Sequence, residues 1–219
     1  VCSNGTAGLH IAALAAGVSA GDEVITTPMT FAASANCALY CGAKPVFADI
    51  NPETYNIDPA SVEKCVTDKT KAVVAVDYTG QSAELEPLRK LCREKNLVLI
   101  EDGAHVIGTT YQGRKNGSIS DMTMFSFHPV KTVTAGEGGA VLTNSEEYYR
   151  KLLLYRAHGI TRDERLLEHE SDGPWYYEQL MLGYNYRMTD MQAALLISQL
   201  DKLEMFSKRR KEIVARYNE

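Results

Sequence analysis

The sequence predicts an α/β domain with a mostly parallel sheet flanked by helices. Two observations support this fold class. Short strand-like runs alternate with helical runs along the chain, as they do in consecutive βα units. The run LVLIED at 97–102 contains four consecutive apolar residues, which suits a parallel strand covered on both faces. The chain has 219 residues, 45% hydrophobic and 23% charged, so one large domain or two small ones can form around a sizeable core.

The first half of the chain is predicted to alternate between helices and strands. Small residues at the beginning lead into a helix rich in alanine and leucine, SNGTAGLHIAALAAG at 3–17. The elements that follow are a strand EVITTP at 23–28, a helix AASANCALYCG at 32–42 that ends at Gly42, a strand KPVFADI at 44–50, a turn NPETYNIDPAS at 51–61 and a strand KAVVAVDY at 71–78.

The second half continues the alternation. The segment 83–96 predicts an amphipathic helix whose apolar face consists of Leu85, Leu88, Leu91 and Cys92. Further strands are predicted for LVLIED at 97–102, MTMFSF at 122–127 and GGAVLTN at 138–144. From Thr189 onward the pattern predicts one long helix. Thr189 and Gln192 have the spacing of a capping box at its beginning.

Charge and cysteine content argue against several classes of function. The net charge of −5 suggests no nucleic-acid or membrane surface, and the basic run SKRRKE is interpreted as the solvated face of a helix. The five cysteines are odd in number and contain no CxxC pair, so neither a disulfide framework nor a metal site is expected. Free cysteines are typical of a reducing compartment, so we expect a cytoplasmic protein. No apolar run is long enough to span a bilayer and no signal peptide is visible.

Ligands of parallel sheets bind outside the carboxyl ends of the strands, and three places meet this condition. The first is the opening segment CSNGTAGLH, where free N–H groups at a helix N-terminus and the helix dipole attract a phosphate. Gly5 would let the phosphate approach the backbone and Thr6 would add a hydroxyl group. The alternative is an ordinary helix cap formed by Asn4 or Thr6.

The second place is Asp102, which follows a buried apolar strand. A carboxylate there needs a partner or solvent, and a cationic pyridinium nitrogen would keep it ionised. His105 lies three residues further on and could cover a ring or hydrogen-bond the aspartate. The alternatives are a helix-capping aspartate and a structural histidine.

The third place is Lys131, between the apolar run that ends in SFHPV and a Gly-Glu-Gly-Gly turn. A lysine that attacks an aldehyde must first lose its proton, which requires burial or a nearby cation. Ser126 and the glycine-rich turn suit an anion. Phosphate donors, a carboxylate and a lysine together predict a pyridoxal 5′-phosphate site; a surface lysine on a loop is the alternative.

The sequence resembles the sugar aminotransferases of the DegT/DnrJ/EryC1/StrS family, which have the fold type I of aspartate aminotransferase. The resemblance spans nearly the whole chain. The matching stretches are SNGTAGLH, GDEVITTPMTFAASAN, AKPVFADI, VDYTGQSAEL, LIEDGAHVIGTTYQGRKNGSISDMTMFSFHPVKTVTAGEGG and LGYNYRMTDMQAALLISQL.

The resemblance implies a role for each matching position. Lys131 would form the Schiff base with the cofactor and later move a proton, and Asp102 would pair with the pyridine nitrogen. Phe31 would stack on the ring and His105 would lie beside it. The phosphate would be held by Gly5, Thr6, Ala7 and Ser126, and by Asn185 of the other subunit of a homodimer with shared active sites. Substrate contacts are expected from Asn4, His158 and Tyr184.

The implied activity is transfer of an amino group from an amino acid, L-glutamate, to the C4 keto group of a nucleotide-linked 4-keto-6-deoxy sugar. The stretches HGITRD, DGPWYYEQ and LGYNYRMTD resemble the branch that makes UDP-4-amino-4,6-dideoxy-N-acetyl-β-L-altrosamine, an intermediate towards pseudaminic acid. Two alternatives within the family are a non-catalytic relative that binds the cofactor and a sugar dehydratase. The dehydratases have histidine in place of the Schiff-base lysine, whereas this chain has Lys131.

The resemblance also implies a division of the chain. Residues 1–187 would be the large cofactor-binding domain, and 188–219 a helix leading towards a C-terminal small domain. Because family members extend past both ends, and because the chain opens on Val1 inside what looks like a strand-to-helix turn, we expect it to be a fragment of a longer protein.

Overall fold

The computed structural model describes residues 1–219 and has a six-stranded central sheet with helices packed against it. The strands are β1 (Glu23–Thr26), β2 (Lys44–Phe47), β3 (Thr70–Val76), β4 (Val98–Asp102), β5 (Thr110–Tyr111), β6 (Arg114–Lys115), β7 (Met122–Ser126), β8 (Gly139–Leu142), β9 (Ile160–Thr161) and β10 (Glu178–Gln179). The helices are α1 (Gly5–Ala15), α2 (Ala33–Tyr40), α3 (Pro59–Cys65), α4 (Leu85–Glu94), α5 (Glu146–Arg156), α6 (Asp190–Leu200) and α7 (Leu203–Tyr217), with a 3₁₀ turn at Tyr78–Gly80.

The strand order of the central sheet is β2-β1-β3-β4-β7-β8. All neighbouring pairs are parallel except β7 and β8, which run antiparallel. The predicted mostly parallel sheet is therefore confirmed. This order places the carboxyl ends of β3, β4 and β7 side by side, at the edge of a parallel sheet where ligands bind.

Both faces of the sheet are buried, which explains the uninterrupted apolar runs of its central strands. Ala72 and Val74 of β3 pack in a cluster with residues of α1 and α2. Val73 and Ala75 point to the other face and pack in a second cluster, which includes Leu88 of α4. The predicted apolar face of α4 is confirmed, since all four of its residues are buried.

The structure contains two helices that the sequence interpretation did not include. α3 begins inside the predicted turn at 51–61, where the Asp58 carboxylate accepts from two backbone N–H groups and Pro59 occupies the first helical position. α5 is capped by Ser145, which accepts from the Tyr148 N–H, and begins with two glutamates. Both helices have local N-terminal signals that could have predicted them.

The prediction of one continuous helix from Thr189 is wrong, although its capping box of Thr189 and Gln192 is confirmed. The helix is interrupted after α6, where the Lys202 N–H donates to the carbonyl of Gln199, three residues back, at 3.1 Å. This tight turn replaces the α-helical pattern, and α7 begins immediately after it at Leu203. None of the helices is long and apolar enough to cross a lipid bilayer.

Candidate active site

A cavity of about 950 Å³ lies at the carboxyl ends of the central strands and the N-terminus of α1. It brings together most of the residues predicted from the sequence. Those that line it are Asn4, Gly5, Thr6, Ala7, Phe31, Asp102, His105, Ser126, Lys131 and Tyr184. Two predicted residues, His158 and Asn185, do not line it.

The beginning of α1 carries free backbone donors that suit an anion, and we refer to it as the anion cradle. The Asn4 side chain caps the helix by accepting from the Ala7 N–H at 2.8 Å, which leaves the N–H groups of Gly5 and Thr6 with no acceptor in the chain. A Cβ atom on Gly5 would lie 3.1 Å from the Cβ atom of Ser126, so glycine keeps the helix start close to that serine. Of the two proposed caps, Asn4 is therefore the one used, and its side-chain oxygen Oδ1 already accepts a hydrogen bond from the Ala7 N–H.

The position of this cradle depends on β8. Cys2 and Gly139 exchange two backbone hydrogen bonds, of 2.8 and 3.0 Å. A Cβ atom on Gly139 would lie only 2.6 Å from the Asn4 carbonyl and 2.9 Å from the Gly5 nitrogen. This glycine of the glycine-rich turn therefore permits the close approach of β8 to α1, a packing role that the sequence interpretation did not include.

Asp102 is buried at the end of β4. Its Oδ2 accepts from the Ser34 hydroxyl at 2.7 Å and its Oδ1 from the Ala104 N–H at 3.3 Å. Burial raises the pKa of Asp102 above its ordinary value, although these hydrogen bonds and the charges of Lys131 and His105 oppose the shift. A cation next to this carboxylate would favour its ionised form.

Lys131 and His105 form a hydrogen bond, with 2.7 Å between Nζ and Nε2. Burial lowers the pKa of the Lys131 amine, and the charge of Asp102 partly opposes this. Burial, and then the charge of Lys131, lower the pKa of His105, again opposed by Asp102. The cavity thus favours the neutral amine, as a nucleophilic lysine requires.

Phe31 lies on the wall of the same cavity with 76% of its surface exposed. An exposed phenyl ring at a cavity wall is available to cover a flat ligand. Phe31 therefore lies at the wall of the predicted site, and its stacking on a bound ring stays a prediction.

Asn185 and His158 are exposed and lie outside the cavity. The backbone of Tyr184 and Tyr186 is fixed by hydrogen bonds to the carbonyls of Tyr155 and Arg156. Tyr184 and Tyr186 line the cavity, while Asn185 between them does not. The cavity wall of this chain therefore includes neither residue, and their expected contacts with phosphate and substrate stay predictions.

The cavity also contains residues that the sequence interpretation missed. They include His10, Tyr40, Asp77, Tyr78, His128, Glu137 and Tyr186. Tyr184 and Tyr186 stack with 5.0 Å between ring centroids, and His10 lies 4.8 Å from Tyr184. Asp77 directly follows β3, so the strand-end rule that selected Asp102 could also have found it.

The donors and charges of the cavity fit pyridoxal 5′-phosphate. The cradle of α1 offers two free N–H groups and the nearby hydroxyls of Thr6 and Ser126 to a phosphate. Asp102 offers a buried carboxylate to a ring cation, and Lys131 offers an amine whose pKa is lowered.

Comparison with known proteins identifies the same class. The sequence profile of the DegT/DnrJ/EryC1/StrS aminotransferase family matches residues 1–219. A UDP-4-amino-4,6-dideoxy-N-acetyl-beta-L-altrosamine transaminase of Campylobacter jejuni is 42% identical over 221 residues, covering 100% of this chain and 56% of that protein. The spore coat polysaccharide biosynthesis protein SpsC of Bacillus subtilis is 44% identical over 212 residues, covering 97% of this chain and 54% of that protein.

Solved structures confirm the fold. The PLP form of the putative sugar aminotransferase Spr1654 from Streptococcus pneumoniae superposes with a TM-score of 0.89 at 33% identity. The match covers 99% of this chain and 58% of that one. The chain spans about half the length of the curated relatives it matches.

Proposed function

The chain belongs to the DegT/DnrJ/EryC1/StrS aminotransferase family, and we propose that the protein is a pyridoxal-phosphate-dependent transaminase of nucleotide sugars. The amino group comes from an amino acid, which we propose to be L-glutamate. It goes to the C4 keto group of a nucleotide-linked 4-keto-6-deoxy sugar. The observation that best supports the proposal is the Lys131 amine, 2.7 Å from His105, in the cavity that also contains Asp102.

When bound, pyridoxal phosphate supplies an aldehyde that takes up amino groups and a ring that withdraws electrons from the reacting carbon. The N–H groups of Gly5 and Thr6 and the Ser126 hydroxyl hold its phosphate in this proposal. Asp102 holds the ring nitrogen, and Phe31 covers the ring.

Lys131 Nζ would have two tasks in the proposal: it would tether the cofactor, and it would move the proton that the carbon of the amino donor loses and that C4 of the sugar gains in the second half of the reaction. Both tasks need an amine that is neutral for part of the cycle, and burial lowers its pKa in that direction. His105 Nε2 lies within hydrogen-bond distance of Nζ, so it can orient the amine and share its proton.

Asp102 supplies the electrostatic term of the reaction. Its carboxylate lies in a buried place where a fixed charge acts strongly, because little water is present to screen it. The hydrogen bonds from Ser34 and Ala104 fix its orientation before any ligand arrives.

The sugar substrate is proposed from size and chemistry. A volume of about 950 Å³ is at the upper end of small-molecule sites, so it has room for a cofactor and a nucleotide sugar. We propose the substrate of the altrosamine transaminase branch, UDP-linked and on a route to pseudaminic acid, because the chain resembles a transaminase with that name at 42% identity. SpsC resembles the chain as closely, at 44%, so a panel of sugars must decide.

A homodimer with shared sites is part of the proposal. Asn185 is exposed on the side of its segment away from the cavity of its own chain. An asparagine in that position can donate to a phosphate held by a second copy. We also propose that residues 1–187 form the cofactor-binding domain and that 188–219 lead towards a second domain. The five free thiols support a cytoplasmic location.

The experiment that tests the proposal is a half-reaction of the full-length protein. The protein loaded with pyridoxal phosphate is mixed with L-glutamate, and its absorption spectrum is recorded as the amino form of the cofactor accumulates. UDP-linked, GDP-linked and dTDP-linked 4-keto sugars are then added, and the products are weighed by mass spectrometry. An amino sugar supports the proposal, loss of water from the sugar indicates a dehydratase, and no spectral change with any donor contradicts transamination. Lys131→Ala is the matched inactive control.

A further inference from the structure

Two carboxyl groups are buried beside Asp102 and have no role in the proposed reaction. Asp77 follows β3 and lines the cavity, and Glu101 precedes Asp102 in β4. The two residues are 1% and 0% exposed. One amide nitrogen, Asn116 Nδ2, donates to both carboxyl groups, to Asp77 Oδ2 at 3.5 Å and to Glu101 Oε1 at 2.9 Å.

No cation compensates this pair. Neither carboxyl group takes part in an ion pair with a lysine, arginine or histidine. The carboxyl group of Asp102 is the other titratable group near the pair. The remaining partners are neutral donors: the Asn116 amide, the Ala83 N–H and the hydroxyls of Ser120 and Thr123. Two buried carboxyl groups that share one amide donor repel each other strongly when both are ionised, because neither solvent nor a countercharge offsets the repulsion.

The hydrogen bonds indicate which of the two holds the proton. Glu101 receives three donors: Asn116 Nδ2 at 2.9 Å, the Ser120 hydroxyl at 2.9 Å and the Thr123 hydroxyl at 2.8 Å. Such a set stabilises an ionised carboxylate.

Asp77 is surrounded differently. Its Oδ1 accepts from the Ala83 N–H at 2.8 Å, whereas its Oδ2 has only the Asn116 amide, at 3.5 Å. Oδ2 is therefore the less fully hydrogen-bonded oxygen of Asp77, and the one on which a proton is most readily accommodated.

We propose that Asp77 and Glu101 share one proton, held on Asp77, and that the neutral Asp77 is a positioning residue for Asp102. The Asp77 N–H donates to the Asp102 carbonyl at 3.1 Å, so the two residues are fixed to each other. If Asp77 is neutral, Glu101 is the only negative charge next to Asp102, and this favours the ionised form of Asp102. Burial, and then the charge of Glu101, raise the pKa of Asp77 well above its ordinary value, in agreement. The positioning role rests on the proposed function of Asp102, while the shared proton does not.

The shared proton is tested by infrared spectroscopy of the full-length protein without cofactor. A protonated carboxyl group has a C=O stretch that a carboxylate lacks. The parent should show this band at neutral pH, and Asp77→Asn should lose it. Asp58→Asn, which changes a surface helix cap, should keep it. No such band in the parent at neutral pH overturns the proposal without any variant.

The pH dependence of stability is a second test. Because the folded pKa of Asp77 is raised, its contribution to stability is complete below the unfolded pKa and is lost as the pH rises to the folded value. Above about pH 4.5, the unfolding constant of the parent should rise relative to Asp77→Asn by about tenfold per pH unit, the effect of one proton. Parallel curves for the two proteins would contradict the shared proton.

The positioning role has its own readout in the cofactor-loaded protein. When the pH is raised until the infrared band disappears, Asp77 gains a charge beside Asp102, and the absorption spectrum of the bound cofactor should change over the same pH range. This transition should be absent in Asp77→Asn. A transition that persists in the variant overturns the positioning role. Failure of the transaminase assay would leave the infrared result unaffected, so the two proposals fail separately.

Discussion

Replacement of Asp102 by asparagine should change activity and stability in opposite directions. The variant keeps the shape of the side chain and removes its charge. Ser34 can adapt, because its hydroxyl lies 2.7 Å from Thr30 as well as 2.7 Å from Asp102, and can donate to either. We therefore expect Asp102→Asn to fold and to bind pyridoxal phosphate.

The loss of activity follows from the electrostatic role of the carboxylate. Removal of one fixed, buried electrostatic contribution typically slows the chemical step by about 10²–10³-fold, or roughly 3–4 kcal/mol. Single-turnover transamination by L-glutamate, followed by absorbance, measures this step apart from product release.

The stability of the cofactor-free protein should not fall with activity. Burial raises the folded pKa of Asp102, so the stability this group contributes at acid pH is lost as the pH rises towards that value. Asparagine removes this loss, and cofactor-free Asp102→Asn should unfold at the parent's temperature or higher at neutral pH. Asp68→Asn, at an exposed position, is the control for both assays. If Asp102→Asn transaminated within about threefold of the parent, the carboxylate would not be the partner of the ring.

Three further predictions test the remaining parts of the site. Borohydride reduction followed by peptide mapping should place the pyridoxyl group on Lys131; a label on another lysine would refute its role. Gly5→Ala puts a Cβ atom 3.1 Å from Ser126, so we expect the free energy of unfolding to fall by about 1–3 kcal/mol and the cofactor to bind more weakly. Thermal unfolding and titration with pyridoxal phosphate measure the two effects; unchanged binding would show that Gly5 is not part of the cradle. Mixing full-length Asn185→Ala with Lys131→Ala should restore about a quarter of parent activity, because half of a statistical mixture is heterodimer and each heterodimer has one intact site. No recovery with heterodimers confirmed by mass would mean that Asn185 acts within its own chain or has only a structural role.

The sequence predicted the sheet and the chemistry at the strand ends, because both depend on local patterns. Apolar runs predicted β3 and β4, and the strand-end rule selected Asp102 and Lys131. The turn at Lys202 was not predicted. It differs from a continuous helix by one hydrogen bond that reaches three residues back instead of four, and the amino-acid composition does not reveal such a change.

The residues that were missed are those whose place depends on the fold. His10 belongs to an apolar helix pattern, and only the packing of α1 beside Tyr184 and Tyr186 brings it to the cavity. The approach of Asp77 to Glu101, which share the Asn116 amide, depends on the register of β3 against β4. The need for glycine at position 139 arises from the approach of the Asn4 backbone, which no local pattern encodes.

The two hydrogen bonds between Cys2 and Gly139 have a consequence for folding kinetics. Most strands of the sheet lie between Cys2 and Gly139 in the sequence. The two hydrogen bonds therefore close a long loop, and the entropy cost of closing it is large. Folding rates fall as contacts become less local. The anion cradle at Gly5 is therefore expected to be among the last parts of the molecule to form, after β3, β4 and β7 have paired. During biosynthesis the cradle can therefore take its final position only once β8 has left the ribosome.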